Sequence, residues 1–220
     1  MNPPVVALLL AFLVTDPTHV SVALAQRPLP VGEDTILRPA QQFDVSKFDS
    51  ATAVSLRAIL DSAAVRGLPT APLINLSLQG AARRVVGSRI LAVVRAHASA
   101  MEDTRRIIGV RSSRSEIDAC ATAMRAGVDG GTMAQLREAR TGSSIIKPCV
   151  IVTDLIQRGV PFATANNAVL VVSRWSRSDE ALDELQTLVA KNQTRGGPTM
   201  AVEAIQRYLR EAAPARGRSP

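Results

Sequence analysis

Only 3% of the 220 residues are aromatic: one Trp, one Tyr and four Phe. Carbohydrate sites and single-stranded nucleic-acid sites tend to stack their ligands on aromatic platforms, and this chain lacks the residues to build one. Trp175, Tyr208 and Phe162 read instead as packing at helix ends. Histidine is as scarce, and beyond residue 25 His97 stands alone. One His and two widely spaced Cys give no set of three or four convergent ligands at a recognised metal spacing. The acidic pairs Glu33-Asp34, Glu102-Asp103 and Asp179-Glu180 lack a calcium-loop pattern. Gly127-Val128-Asp129-Gly130-Gly131 has the glycines of a phosphate loop, but no strand before it and no Gly-Lys-Ser/Thr after it. No metal and no other cofactor is expected.

Long apolar runs are missing too, apart from Val5 to Val14 near the start. That run has the length of a signal-peptide core, and Ala23-Leu24-Ala25 supplies a small-x-small cleavage site. Residues 1–25 therefore read as a signal peptide cleaved before Gln26, although no base precedes the run and Asp16-Pro17 lies between it and the cleavage site. The run is too short for a membrane anchor, and no later stretch is long and uncharged enough to span a bilayer. The mature protein is expected to be exported, to the periplasm or beyond.

What the chain does have is arginine. Of its 26 basic residues only Lys47, Lys147 and Lys191 are lysines, set against 19 acids. Removal of residues 1–25 takes away Asp16 alone, leaving 18 acids and a net charge of +8. Such an excess permits attraction to acidic polymers or lipid surfaces. Arg83, Arg84, Arg105, Arg106, Arg111 and Arg114 group around the two ends of one expected helix and are the candidate polyanion contacts. The two cysteines, Cys120 and Cys149, form an even count in a chain read as exported, which points to a disulfide between them.

Residues 26–49 carry scattered prolines without a period and read as an extended arm, with Phe43 and Phe48 as anchors. Residues 50–212 read as a single helical domain, and 213–220 as a disordered basic tail. Within the domain one piece of punctuation recurs. At Gly67, Gly127 and Gly159 an apolar segment stops at a glycine, one apolar residue comes next, and a proline or aspartate opens another segment. This is the chemistry of a left-handed glycine cap and a fresh helix start. The spacing of the copies is irregular, so no named repeat is implied.

Helical periodicity marks the rest. Asp49 or Ser50 caps a first helix to about Arg66, with Val54, Ala58 and Val65 on its apolar stripe beside Leu56, Ile59, Leu60 and Ala63. A second opens at Thr70 with Pro72 in its first turn. The third shows the clearest stripe: Ile90, Val94, His97, Met101, Thr104 and Ile108. Ser113-x-x-Glu116 has capping-box spacing. Residues 145–152 and 165–172 are dense in β-branched side chains, yet their shared faces and flanking Pro and Gly favour helix. Gly196-Gly197-Pro198 breaks the last helical stretch. The expected fold is all-α, an irregular bundle or array of about eight short antiparallel helices.

Two residues invite a catalytic reading. Ser144-Ile145-Ile146-Lys147 matches S-x-x-K, in which a lysine amine lies over a serine hydroxyl one helical turn away. No Ser-Asp-Asn or Lys-Thr-Gly element comes after it, and Pro148 stands directly beyond the lysine. His97 would need a carboxylate or nucleophile beside it, and Glu102 and Asp103, five and six residues on, do not share its helix face. The favoured reading is therefore non-catalytic: a scaffold or adaptor in a bacterial envelope whose partner is an envelope protein. A polyanion-binding module is the alternative, with a hydrolase at Ser144 behind both. The sequence does not indicate an oligomeric state.

Overall fold

The structure, a computed structural model, describes residues 44–216. The stretch read as a signal peptide, residues 26–43 of the arm including Phe43, and the last four residues of the tail lie outside them. Among the described residues the chain forms eight α-helices and no strand. After a short 3-10 turn at Val45–Lys47, α1 spans Ser50–Val65, α2 Ala71–Ala82, α3 Gly87–Ile108 and α4 Arg114–Ala126. Next come α5 at Gly130–Ala139, α6 at Ile146–Gln157, α7 at Phe162–Trp175 and α8 at Glu180–Arg216. Both β-branched segments are helical, within α6 and α7. The helix α8 is two rods joined at Gly196 and Gly197, where the backbone leaves helical geometry. Its second rod continues to Arg216, into the stretch expected as a disordered tail.

The glycine turns set where these helices stop. At Gly67 the amide of Leu68 donates to the Ala63 carbonyl and that of Gly67 to Ala64, each at 2.9 Å. Val128 and Gly127 repeat the pattern on Ala123 and Met124, and Val160 and Gly159 on Leu155 and Ile156. All three glycines have positive φ, of 70°, 114° and 84°. Leu68, Val128 and Val160 are buried, so each turn closes with its apolar residue folded back on the helix it ends.

Starts are as well defined. Asp49 accepts from the Thr52 amide at α1, and Asp129 from the Thr132 amide at α5. Ser113 and Glu116 close a complete capping box at α4. Each satisfies amide donors that would otherwise lack a partner in the first turn.

The core is nearly all aliphatic. All six stripe residues of α3 are buried, and α3 packs on α1, α2, α4 and α5. In turn α6 packs on α4, α7 and α8, with Ile151, Val152 and Leu155 fully buried. On α1 the structure overturns the expected stripe. Val54 and Val65 are 69% and 88% exposed, and Leu56, Leu60 and Ala63 face inward. The two sets lie on opposite faces of one helix, and tertiary packing chose the one with the larger leucine side chains.

The eight helices form the expected all-α array, and within it one packed pair that is not consecutive in the chain runs parallel. The Glu116 carboxylate in the first turn of α4 accepts from the Ile145 amide at the start of α6. Four residues further along both helices, Cys120 is joined to Cys149. The helices α4 and α6 therefore advance in the same direction, with α5 returning between them. The expected disulfide is formed, with its Cα atoms 5.2 Å apart and both residues fully buried.

Candidate functional site

Parallel packing brings the N-terminal ends of α4 and α6 to the same side of the molecule, and the turns that feed them frame a recess of about 870 Å³. Its walls are the α3–α4 turn, carrying Val110, Arg111 and Ser112, and the α5–α6 turn, carrying Ser143 and Ser144. Two helix N-termini side by side concentrate positive partial charge. Glu116 answers that charge from below. Its carboxylate accepts from the Ser113 amide at 3.0 Å, the Ile145 amide at 3.2 Å and Arg137 Nη1 at 3.1 Å. Burial pushes this carboxyl up, but the amides of Ser113 and Ile145 and the Arg137 charge outweigh that and hold it below the usual glutamate range.

Arg137 is fully engaged in the same floor. Besides Glu116, its guanidinium donates to the carbonyls of Arg140 and Ser143. The α5–α6 turn is thus tied to α4 by one buried and several part-buried hydrogen bonds. Above this floor the surface is open and mixed. Val110 is 76% exposed, and Arg111 and Ser144 are exposed beside it. Such a surface can hold an apolar side chain next to a carboxylate; it presents no nucleophile paired with a base.

Ser144 lies in this recess, but Lys147 does not lie over it. The Ser144 hydroxyl accepts from the Ile146 amide at 3.2 Å, and the Lys147 amine pairs with Asp183 on α8. Because α6 begins only at Ile146, the serine stands outside the helix that carries the lysine.

His97 has a carboxylate partner, and neither of its sequence neighbours supplies it. Its Nε2 meets Asp118 on α4 at 3.0 Å, while Glu102 pairs with Arg66 and Asp103 with Arg106. The ring is buried between α3 and α4. It reads as a packed histidine joining two helices.

The six candidate arginines do not converge. Arg83 and Arg84 stand at the start of α3, and the other four are at or beyond its end, separated by a 22-residue helix about 33 Å long. Arg105 donates to the Arg66 carbonyl, and Arg106 is held by Asp103 at 2.8 Å. Of the six, Arg83, Arg84, Arg111 and Arg114 are exposed with no ion pair among the described residues.

The Glu116–Arg137–Ile145 floor and the Val110 lip escape a reading of the sequence. The capping-box spacing marks Glu116 for a local role, and nothing in the spacing marks Arg137 or Val110. Among the described residues, no three metal-ligating side chains come together, and no helix is long and apolar enough to cross a membrane. No family model, curated protein or solved structure matches the chain.

Proposed function

We propose that the protein is exported and works by non-catalytic interaction, as an adaptor that holds a protein partner at the recess between the α3–α4 and α5–α6 turns. The observation that carries this reading is the recess itself, an exposed apolar and basic rim over a floor immobilised by Glu116 and Arg137. A rigid floor beneath an exposed Val110 and Arg111 loses little freedom when a partner docks, which favours recognition. Export draws support from the apolar run at Val5 to Val14, the Ala23-Leu24-Ala25 site, and a disulfide of the kind that persists in oxidising compartments.

The test is capture from envelope extract by wild-type protein and by Val110→Ser and Arg111→Glu variants, in low and moderate salt. A protein retained by the wild type through the salt step, and lost by both variants, is the expected result. Equal retention by wild type and variants removes the recess from the proposal. N-terminal sequencing of the protein recovered from its producing cells checks export, and a start other than Gln26 counts against the cleavage assignment.

A polyanion-binding reading has one specific observation in its favour, the exposed Arg83 and Arg84, far from the recess.

A further inference from the structure

A fourth helix ends as the three glycine turns do, but without a glycine. At the end of α2 the Val85 amide donates to the Gly80 carbonyl at 3.0 Å and the Arg84 amide to Ala81 at 2.9 Å. This is the same pair of bonds seen at Gly67, Gly127 and Gly159. Here the left-handed position is filled by Arg84, at φ 56°, the only non-glycine residue with positive φ among the described residues. An L-residue with a Cβ is strained there, and glycine would not be.

Two neighbours break local rules as well. The cap position of α3 is Val86, which has no side-chain oxygen to accept an amide; α1, α4 and α5 are capped by Asp49, Ser113 and Asp129, whereas α2, α6 and α7, like α3, have no side-chain cap. Arg89 then places a positive charge in the first turn of α3, where the helix dipole disfavours it and the turn itself has no acid. All three side chains are exposed, Val86 at 68%. Arg83 is exposed beside them. A carboxylate does approach this junction: Asp49 accepts the Thr52 amide through Oδ1, and its Oδ2 lies beside Gly87, where its charge partly offsets that of the arginines.

What sets this junction apart is Arg84, a strained left-handed residue where the matching turns use glycine, and the strain holds it on an exposed tip beside Arg83, Val86 and Arg89. We propose that the α2–α3 tip is a contact site for an anionic membrane surface. Arg83, Arg84 and Arg89 would meet lipid phosphates, and Val86 would enter the headgroup boundary. Guanidinium groups pair with phosphate oxygens in a bidentate fork. An exposed valine among three arginines fits a lipid interface, which offers anionic and apolar surface together, better than a hydrated polymer. With about one favourable contact per arginine the association is weak and reversible.

The sharpest test is Arg84→Gly, because its two expected effects have opposite signs. Relief of the left-handed arginine should raise the melting temperature by about 2–4 °C. Loss of one contact should weaken binding to vesicles of phosphatidylglycerol and phosphatidylcholine about fivefold. The protein is used as recovered from its producing cells. Arg207→Ala, an exposed arginine on α8, is the control for net charge, and its binding should stay close to wild type. Val86→Ser should weaken vesicle binding and leave retention on inorganic polyphosphate unchanged. Stabilised Arg84→Gly protein that binds vesicles as the wild type does overturns the proposal. So does wild-type binding to phosphatidylcholine alone at the same strength, or binding to polyphosphate without binding to vesicles.

Discussion

At the residue scale, the turns depend on whether a Cβ fits. Gly67, Gly127 and Gly159 have the same hydrogen bonds and differ in what surrounds them. A Cβ at Gly67 or Gly159 would stand 3.2 Å from its nearest neighbour, whereas at Gly127 it would lie 2.5 Å from Phe162 Cε1. Replacing Gly67 or Gly159 by alanine is expected to cost about 1–2 kcal/mol from the left-handed backbone alone. Gly127→Ala should cost more, because the Phe162 ring must also move; urea unfolding of the three variants gives the order. Glu116 makes a second residue-scale prediction. Its carboxyl is held below the ordinary range, so the stability it adds is present above the unfolded value near 4.3 and is lost as pH falls through the folded one. Glu116→Gln should lower stability at neutral pH by about 1–3 kcal/mol. It should also flatten the decline in stability below pH about 4.3, which acid titration of both proteins would reveal.

At the scale of elements, α4 and α6 are held by two rungs one helical turn apart. One is the Glu116–Ile145 hydrogen bond, and the other is the Cys120–Cys149 disulfide. The disulfide closes a loop with a sequence separation of 29, which contains all of α5. In the chain-entropy account a loop of that size contributes roughly 3–4 kcal/mol. The double variant Cys120→Ala with Cys149→Ala should therefore unfold earlier in urea by about that amount, with its helical circular dichroism intact before the transition. A loss below about 1 kcal/mol would show that packing around α4 and α6 already does the work assigned to the bond.

At the scale of the whole molecule, the sequence alone determined what depends on residues a turn apart. Helix ends at Gly67, Gly127 and Gly159, the box at Ser113 and Glu116, the break at Gly196-Gly197-Pro198 and the α3 stripe are all legible in it. A cap or a left-handed turn is set by bonds within about five residues, and its chemistry is written in that window. The buried face of α1 is not legible, because Val54 and Leu56 give nearly the same periodic signal and only neighbouring helices decide which face is covered. Pairings across the fold are beyond reach for the same reason. Asp118 lies 21 positions from His97 and Ile145 lies 29 from Glu116, separations that carry no periodic signal. The parallel course of α4 and α6, the recess at their shared end and the parting of Ser144 from Lys147 were decided by tertiary packing. Burial of the aliphatic core selects which helix faces meet, and side chains remote in the chain become neighbours only once that selection is made.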